Sequence, residues 1–239
     1  MIGIICAMQE ELKEIKAGME PDGELNYSGI DFFLGRLEGQ EIVCAVCGVG
    51  KVFAAVCAQT MILKFHPSAI INVGVAGSLS DSLGVADIVI ARQLVQHDMD
   101  VTALGVPKGQ ILGSDIQYIS TTEEIRDQLF SAIMMLNSEG AFGGHEIKAL
   151  QGIIASGDQF ISSKAKKQLI VEEFKAIACE MEGAAIAQVC YVNKLPFCVL
   201  RAISDSADAG AKMDYPAFVE LAASNSAKVI KRFLKNRGA

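Results

Sequence analysis

Six short stretches stand out as places where residue type and spacing could do chemistry. "CEMEGAA", Cys179–Ala185, sets Glu180 and Glu182 either side of Met181, between the apolar runs "AIA" and "AAIAQVC". "CAMQEE" carries Glu11 just past an apolar run, and "RAISDSAD" carries Arg201, Ser204 and Asp205. "CGVGK", "NVGVAGSL" and "SGDQFI" are glycine-containing breaks after further apolar runs. Each acid has a plain structural reading. Glu11 and the Glu180/Glu182 pair suit helix N-termini, where the macrodipole favours negative charge. Asp205 suits an N-cap or an Asx turn. Arg201 is harder to set aside, because a charge inside an apolar strand needs a partner.

The glycine loops are not nucleotide-binding motifs. Gly50-Lys51 is followed by Val52, so the hydroxyl of a phosphate loop is missing. Gly48-x-Gly50 has Phe53 where a third glycine would stand. Two readings stay open for these glycines and for Gly74 and Gly77: tight turns with close strand–helix packing, or a backbone that lets a small ligand approach. The "CAVC" pair, Cys44 and Cys47, lies in a strand-like run where positions three apart face opposite ways. It has no second pair for zinc and no helix to open, which argues against redox or metal use. His66, His97 and His145 have no metal spacing; His66 reads as structural, and His97-Asp98 as a loop that could cap a pocket. No metal or other cofactor is implied.

The elements that must position these groups alternate. Strand-like runs are Ile2–Ala7, Ile42–Cys47, Ala69–Val73, Asp87–Val95, Ile147–Ala155, Ala176–Cys179 and Phe197–Ile203, several rich in Ile and Val as in strands buried on both faces. Leu25–Cys47 reads as antiparallel strands joined at Ser28-Gly29 and Glu38-Gly39. Helical patterns cover Lys51–Phe65, stopping before Pro67, then Thr121–Asn137, Ser163–Phe174, Gly183–Asn193 and Tyr215–Lys235. Thr121 and Glu124 have capping-box spacing. Strands alternating with helices predict an α/β fold with a mixed sheet, and in such sheets ligands collect at the carboxyl ends of strands.

The 239 residues are 51% hydrophobic and 21% charged, enough for a sizeable core and against disorder. A net charge of −7 without a basic, aromatic-interleaved cluster disfavours nucleic acid and anionic membranes as partners. The opening "MIGIICAMQEELKEI" has a short apolar stretch followed by acids, which reads as neither signal peptide nor membrane span. A cytoplasmic protein is the expectation.

"IGIICAMQEE", "GVGK", "SGDQFI", "CEMEGAA" and "LRAISDSAD", in this order across nearly the whole chain, resemble the 5′-methylthioadenosine/S-adenosylhomocysteine nucleosidases of the nucleoside phosphorylase/nucleosidase superfamily. The resemblance implies a single domain over residues 1–239, a three-layer α/β/α fold with a mixed, twisted central sheet of nucleoside phosphorylase type. It implies hydrolysis of the bond between adenine N9 and ribose C1′. Asp205 matches the acid that protonates adenine N7, and Glu11 the base that activates water. Arg201 matches a residue near that water and Glu11, and Ser204 one that holds the acid or base. Glu182 matches the ligand of the ribose hydroxyls, with Met181 against the sugar and Glu180 in support. Phe160 matches the ring stacked on adenine, and the Ile161 backbone the group that reads its edge. Val75, Ala76 and Gly77 would line the site. Met8, Val49, Val101, Leu104 and Tyr215 match the apolar 5′-thio pocket, Val101 and Leu104 as candidates for contribution by the partner subunit of a homodimer.

The chain departs from the family pattern where "GVAG" puts Val75 in place of a frequent serine, where Leu104 replaces a frequent aromatic, and where Leu112 replaces a frequent proline. Three other readings compete. A phosphorylase on the same fold would need cationic donors after the first strand, where Glu11 instead repels a dianion. A nucleosidase for another substrate, futalosine or adenosine, keeps the chemistry. A nucleoside-binding module would have no use for the acid and base.

Overall fold

The computed structural model describes residues 1–205 and 215–238, with the backbone alone for Asp205 and for 215–218. The first strand, β1 (Ile2–Cys6), is buried along its whole length. Its alternate side chains feed two different cores, Ile2, Ile4 and Cys6 one and Ile5 the other. That is why it reads as an unbroken apolar run. The chain continues through α1 (Gln9–Ala17), β2 (Glu20–Tyr27), β3 (Ile30–Leu37), β4 (Gln40–Val46), α2 (Lys51–Phe65), β5 (Ala69–Ser78) and β6 (Ile88–Gln96). After a 3₁₀ turn at Thr102–Leu104 come β7 (Ile119–Ser120), α3 (Glu123–Ser138), β8 (Ala149–Ser156), α4 (Lys164–Phe174), β9 (Ala176–Glu180), α5 (Gly183–Asn193), β10 (Phe197–Asp205) and α6 (Tyr215–Arg237).

The strands form one mixed sheet in the order β10-β6-β8-β9-β5-β1-β4-β3-β2, with β7 beside β6. Helices cover both faces. Leu12 and Ile15 of α1, Leu129 and Ile133 of α3 and Ile230 and Phe233 of α6 pack into one core. Ala54, Cys57 and Met61 of α2 and Ala184, Ile186 and Cys190 of α5 pack into the other. This is the three-layer α/β/α arrangement with a mixed sheet. It has a further feature: β10 pairs with both β5 and β6, so β5, β9, β8, β6 and β10 close on themselves. Closure leaves these five strands without a free edge, β2 remaining the edge at the far end, and aims several strand ends at one mouth. Among the described residues no helix is long and apolar enough to cross a membrane.

The hairpins turn where the sequence predicts. Ser28-Gly29 and Glu38-Gly39 have φ of 55° and 75° and of 50° and 77°, the positive pairs of two-residue hairpin turns. Three expectations differ. β2 starts at Glu20 rather than Leu25, because this edge strand is exposed on both faces and has no apolar alternation to read. α3 starts at Glu123 with Thr122 as its N-cap, and neither threonine caps it by side chain. Thr121 Oγ1 donates to the Ala91 carbonyl at 2.6 Å, and Thr122 Oγ1 accepts from Phe197 N–H at 3.0 Å. Both hydroxyls tie the helix start to the sheet. β5 runs on to Ser78, through "GVAG", because β10 and β9 supply partners that far.

Candidate active site

The carboxyl ends of β1, β5, β9 and β10 and the loops after β4 and β8 surround one cavity of about 220 Å³. Its lining includes Met8, Glu11, Val49, Val75, Ala76, Gly77, Phe160, Ile161, Glu180, Met181, Glu182 and Ser204.

Glu11 sits in the first turn of α1 and is 3% exposed. Its side chain folds back, Oε2 accepting from the N–H groups of Ala7 and Met8 at 2.8 and 2.9 Å. Oε1 accepts from Val75 N–H at 2.9 Å. Burial pushes its pKa up, while Arg201 and the three N–H groups pull against that. The net rise makes Glu11 a better proton acceptor than an exposed carboxylate. Gly74 is needed here for space: a Cβ would lie 2.6 Å from Glu11 Oε1 and 3.1 Å from Arg201 Nη1. For Gly74 the packing reading therefore holds, since its close neighbours are side chains, Glu11 of α1 first among them.

Arg201 is 1% exposed in β10. Its partner is Glu180, not Glu11. Nη2 and Nε both donate to Glu180 Oε2, the latter at 3.2 Å, and Nη2 also donates to Asn72 Oδ1 at 2.5 Å. Glu180 has further partners on both oxygens. Its Oε2 also accepts from Gly183 N–H at 2.8 Å and Glu182 N–H at 3.1 Å, at the start of α5, and its Oε1 accepts from Ser156 Oγ. Burial alone would raise the Glu180 pKa, but Arg201 and the hydrogen bonds outweigh it and hold the group ionised. Glu182 is different. Oε1 accepts from Gly50 N–H at 2.9 Å, and Oε2 lies 3.8 Å from Arg201. Burial first, then the charge of Glu180, push its pKa up to about 7. Two carboxylates two residues apart are thus driven in opposite directions, one a fixed anion and one poised to gain or lose a proton.

Gly48 and Gly50 have φ of 88° and 105°, so the turn reading holds for both. Gly50 also presents its N–H to Glu182. Ser204 is buried and donates to the Ala76 carbonyl at 3.4 Å. Phe160 lines the cavity and is 67% exposed.

This geometry sits in a chain whose residues 1–235 match the family model described as the phosphorylase superfamily. A 5′-methylthioadenosine/S-adenosylhomocysteine nucleosidase of Shewanella sediminis is 36% identical over 235 residues, 98% of each chain. The corresponding Neisseria meningitidis enzyme, solved with methylthio-immucillin-A, superposes with a TM-score of 0.89 at 34% identity, over 98% of each chain. A futalosine hydrolase of Helicobacter pylori superposes with a TM-score of 0.89 at 40% identity, over 98% of this chain and 97% of its own. The chain belongs to the phosphorylase superfamily, among its 5′-methylthioadenosine/S-adenosylhomocysteine nucleosidases. It is an enzyme, an N-glycosidic hydrolase of purine nucleosides.

Not every residue expected of a nucleosidase site lines the cavity. Val101, just before the 3₁₀ turn, is half-buried and Leu104, at the turn's end, is exposed; neither is in the lining of this chain. The side chains of Asp205 and Tyr215 lie outside the described residues; the Asp205 backbone pairs with Gly77. His97-Asp98 does not cap the cavity: His97 is 5% exposed against Gly157, and Asp98 is bound to Lys51. Cys44 and Cys47 face opposite cores, and burial pushes both thiols up, Cys44 to about 12. Among the described residues no group of His, Cys, Asp or Glu could hold a metal ion.

Sequence reasoning missed Ser156 and Asn72, which hold Glu180 and Arg201, and Gln159 and Cys179 in the lining. Ser156 opens the quoted "SGDQFI". Asn72 had a legible signal, a lone amide inside the apolar "AIINVG".

Proposed function

We propose that the enzyme hydrolyses the N9–C1′ bond of 5′-methylthioadenosine and S-adenosylhomocysteine, releasing adenine and the thioribose. The observation that carries this reading is Glu11, a buried carboxylate of raised proton affinity at the cavity wall, held by three backbone N–H groups. In the proposed mechanism the N9–C1′ bond breaks with its electron pair leaving on adenine, and Asp205 gives a proton to N7. Positive charge develops on C1′ and the ring oxygen. Water attacks C1′ from the other face and gives its proton to Glu11, restoring charge balance. Glu182 accepts from the ribose hydroxyls, Met181 packs on the sugar, Phe160 stacks on the base, and Ser204 stands beside the acid. Arg201 acts at one remove, through Glu180.

Water rather than phosphate as the nucleophile is supported by charge. Among the described residues lining the cavity there is no Lys or Arg, and Arg201 is committed to Glu180 and Asn72. A phosphate dianion would meet three carboxylates. The test is adenine release from methylthioadenosine with and without phosphate. Equal rates are expected; strict phosphate dependence would overturn the reading. Glu11→Gln should lower kcat by about 10²–10⁴-fold, as expected for loss of a general base.

A second reading, a preference for futalosine, is favoured by the Helicobacter pylori futalosine hydrolase at 40% identity. Comparing kcat/KM for methylthioadenosine, S-adenosylhomocysteine, adenosine and futalosine decides between them. In either case we propose a homodimer in which the partner's 101–104 segment closes the 5′ end of the pocket.

A further inference from the structure

Three charged residues near the cavity have no part in the reaction above, yet they form a closed ring. Lys51 begins α2, Asp98 follows β6, and Asp158 follows β8. Lys51 Nζ donates to Asp98 Oδ1 at 2.6 Å and to Gln96 Oε1 at 3.0 Å. Asp98 Oδ2 accepts from Asp158 N–H at 2.8 Å, and Asp158 Oδ1 accepts from Lys51 N–H at 2.8 Å. Each member thus touches both others. The side chains of Lys51 and Asp98 are 17% and 13% exposed, so the pair is screened less than a surface ion pair.

The ring's value lies in what adjoins it. Immediately before Lys51 are Val49, in the cavity wall, and Gly50, whose N–H holds Glu182. Immediately after Asp158 are Gln159, Phe160 and Ile161, also in the wall. The two loops touch closely, for a Cβ on Gly50 would lie 3.2 Å from Asp158 Oδ1. Helix α2 has no capping side chain of its own, and Asp158 supplies one from across the sheet. Glu11 is held instead by Ala7, Met8 and Val75, none of which belongs to the ring.

We propose that Lys51 and Asp98 are positioning residues of the nucleoside site, their ion pair locking the loop that holds Glu182 to the loop that carries Phe160 and Ile161. The inference rests on the reading that Glu182 and Phe160 meet ribose and base. The ring touches no reacting atom, so its loss loosens substrate binding and leaves bond cleavage at Glu11 in place.

Adenine release by the unaltered enzyme tests the proposed function by itself. The inference is tested by steady-state kinetics with methylthioadenosine on Lys51→Met, Lys51→Arg and Asp98→Asn, beside hydrogen exchange of the free proteins. Lys51→Met and Asp98→Asn should each raise KM about tenfold with kcat within about twofold, the signature of lost binding rather than lost chemistry. Lys51→Arg, which keeps the charge, should restore KM. In Lys51→Met, amides 159–161 should exchange faster although they are remote in sequence, a readout that needs no substrate and survives if Asp98→Asn fails to fold. Unchanged KM in both charge-removing variants, a kcat collapse at unchanged KM, or unaltered exchange at 159–161 would overturn the inference.

Discussion

Glu180 and Glu182 show how far residue type alone falls short of role. Both are buried acids, two positions apart, against one arginine. Glu180 accepts from Arg201, Ser156, Glu182 N–H and Gly183 N–H, so both of its oxygens are engaged within the protein. Glu182 has one backbone donor and faces the cavity. Glu180→Ala would leave Arg201 buried without its main counter-charge, a situation that costs about 3–5 kcal/mol. Glu182→Ala should lose turnover while costing the fold far less. Urea unfolding and adenine release on both variants check this division. The family pattern makes Glu182 legible from sequence. Glu180 could be given only a supporting part there, because its side-chain partners, Ser156 and Arg201, lie far from it in the chain.

The same pair gives a pH signature. Glu182 titrates at about 7 when folded and near its ordinary 4.5 when unfolded. Between these values the folded state binds more protons, so the Glu182 contribution to stability falls as pH rises from 4.5 to about 7 and stays low above it. Glu182→Gln removes this loss. Its urea midpoint should exceed that of the unaltered enzyme at pH 8, with the gap closing at pH 5. A Glu182→Gln midpoint below that of the unaltered enzyme at pH 8 would instead mean that Glu182 is held as an anion.

At the scale of elements, the helices with strong stops were legible to the residue. Lys51–Phe65 ends at His66 in the left-handed conformation before Pro67, and Gly183–Asn193 ends at Lys194 in the same conformation. What was not legible was tertiary: the cap of α2 comes from Asp158, and the threonines before α3 serve the sheet. The capping-box reading makes Glu124 important to α3. The structure makes Thr122 important instead, since its hydroxyl accepts the Phe197 N–H at the start of β10. Thr122→Val should cost about 1–3 kcal/mol by leaving that N–H unpaired. Glu124→Ala should fall within about 0.5 kcal/mol, as for an exposed side chain. Thermal unfolding of the two variants separates the readings, and the opposite order would restore the capping box.

At the scale of the molecule, one surface does not fit an isolated chain. Helix α2 is apolar nearly all round, so burying one face leaves Val52 at 74%, Phe53 at 60% and Leu63 at 61% exposure. Val192 of α5 is 70% exposed on the helix packed beside it. Phe160 and Val49, both in the cavity lining, are exposed apolar residues as well. Exposed apolar side chains gathered on two neighbouring helices are what a protein–protein interface would cover. This surface adjoins a pocket whose lining in the same chain includes Met8 and Val49 of the expected 5′ wall but not Val101 and Leu104. A second copy docked through α2 and α5 would satisfy both facts at once, covering the surface and closing the pocket with its own 101–104 segment. Phe53→Glu should then halve the solution mass toward the 25.5 kDa of one chain. It should also lower kcat/KM for a 5′-thio nucleoside more than for adenosine, because adenosine has no thioether to bury. Light scattering and the ratio of the two rate constants test this together. A monomer that keeps the unaltered ratio would show that each chain closes its own site.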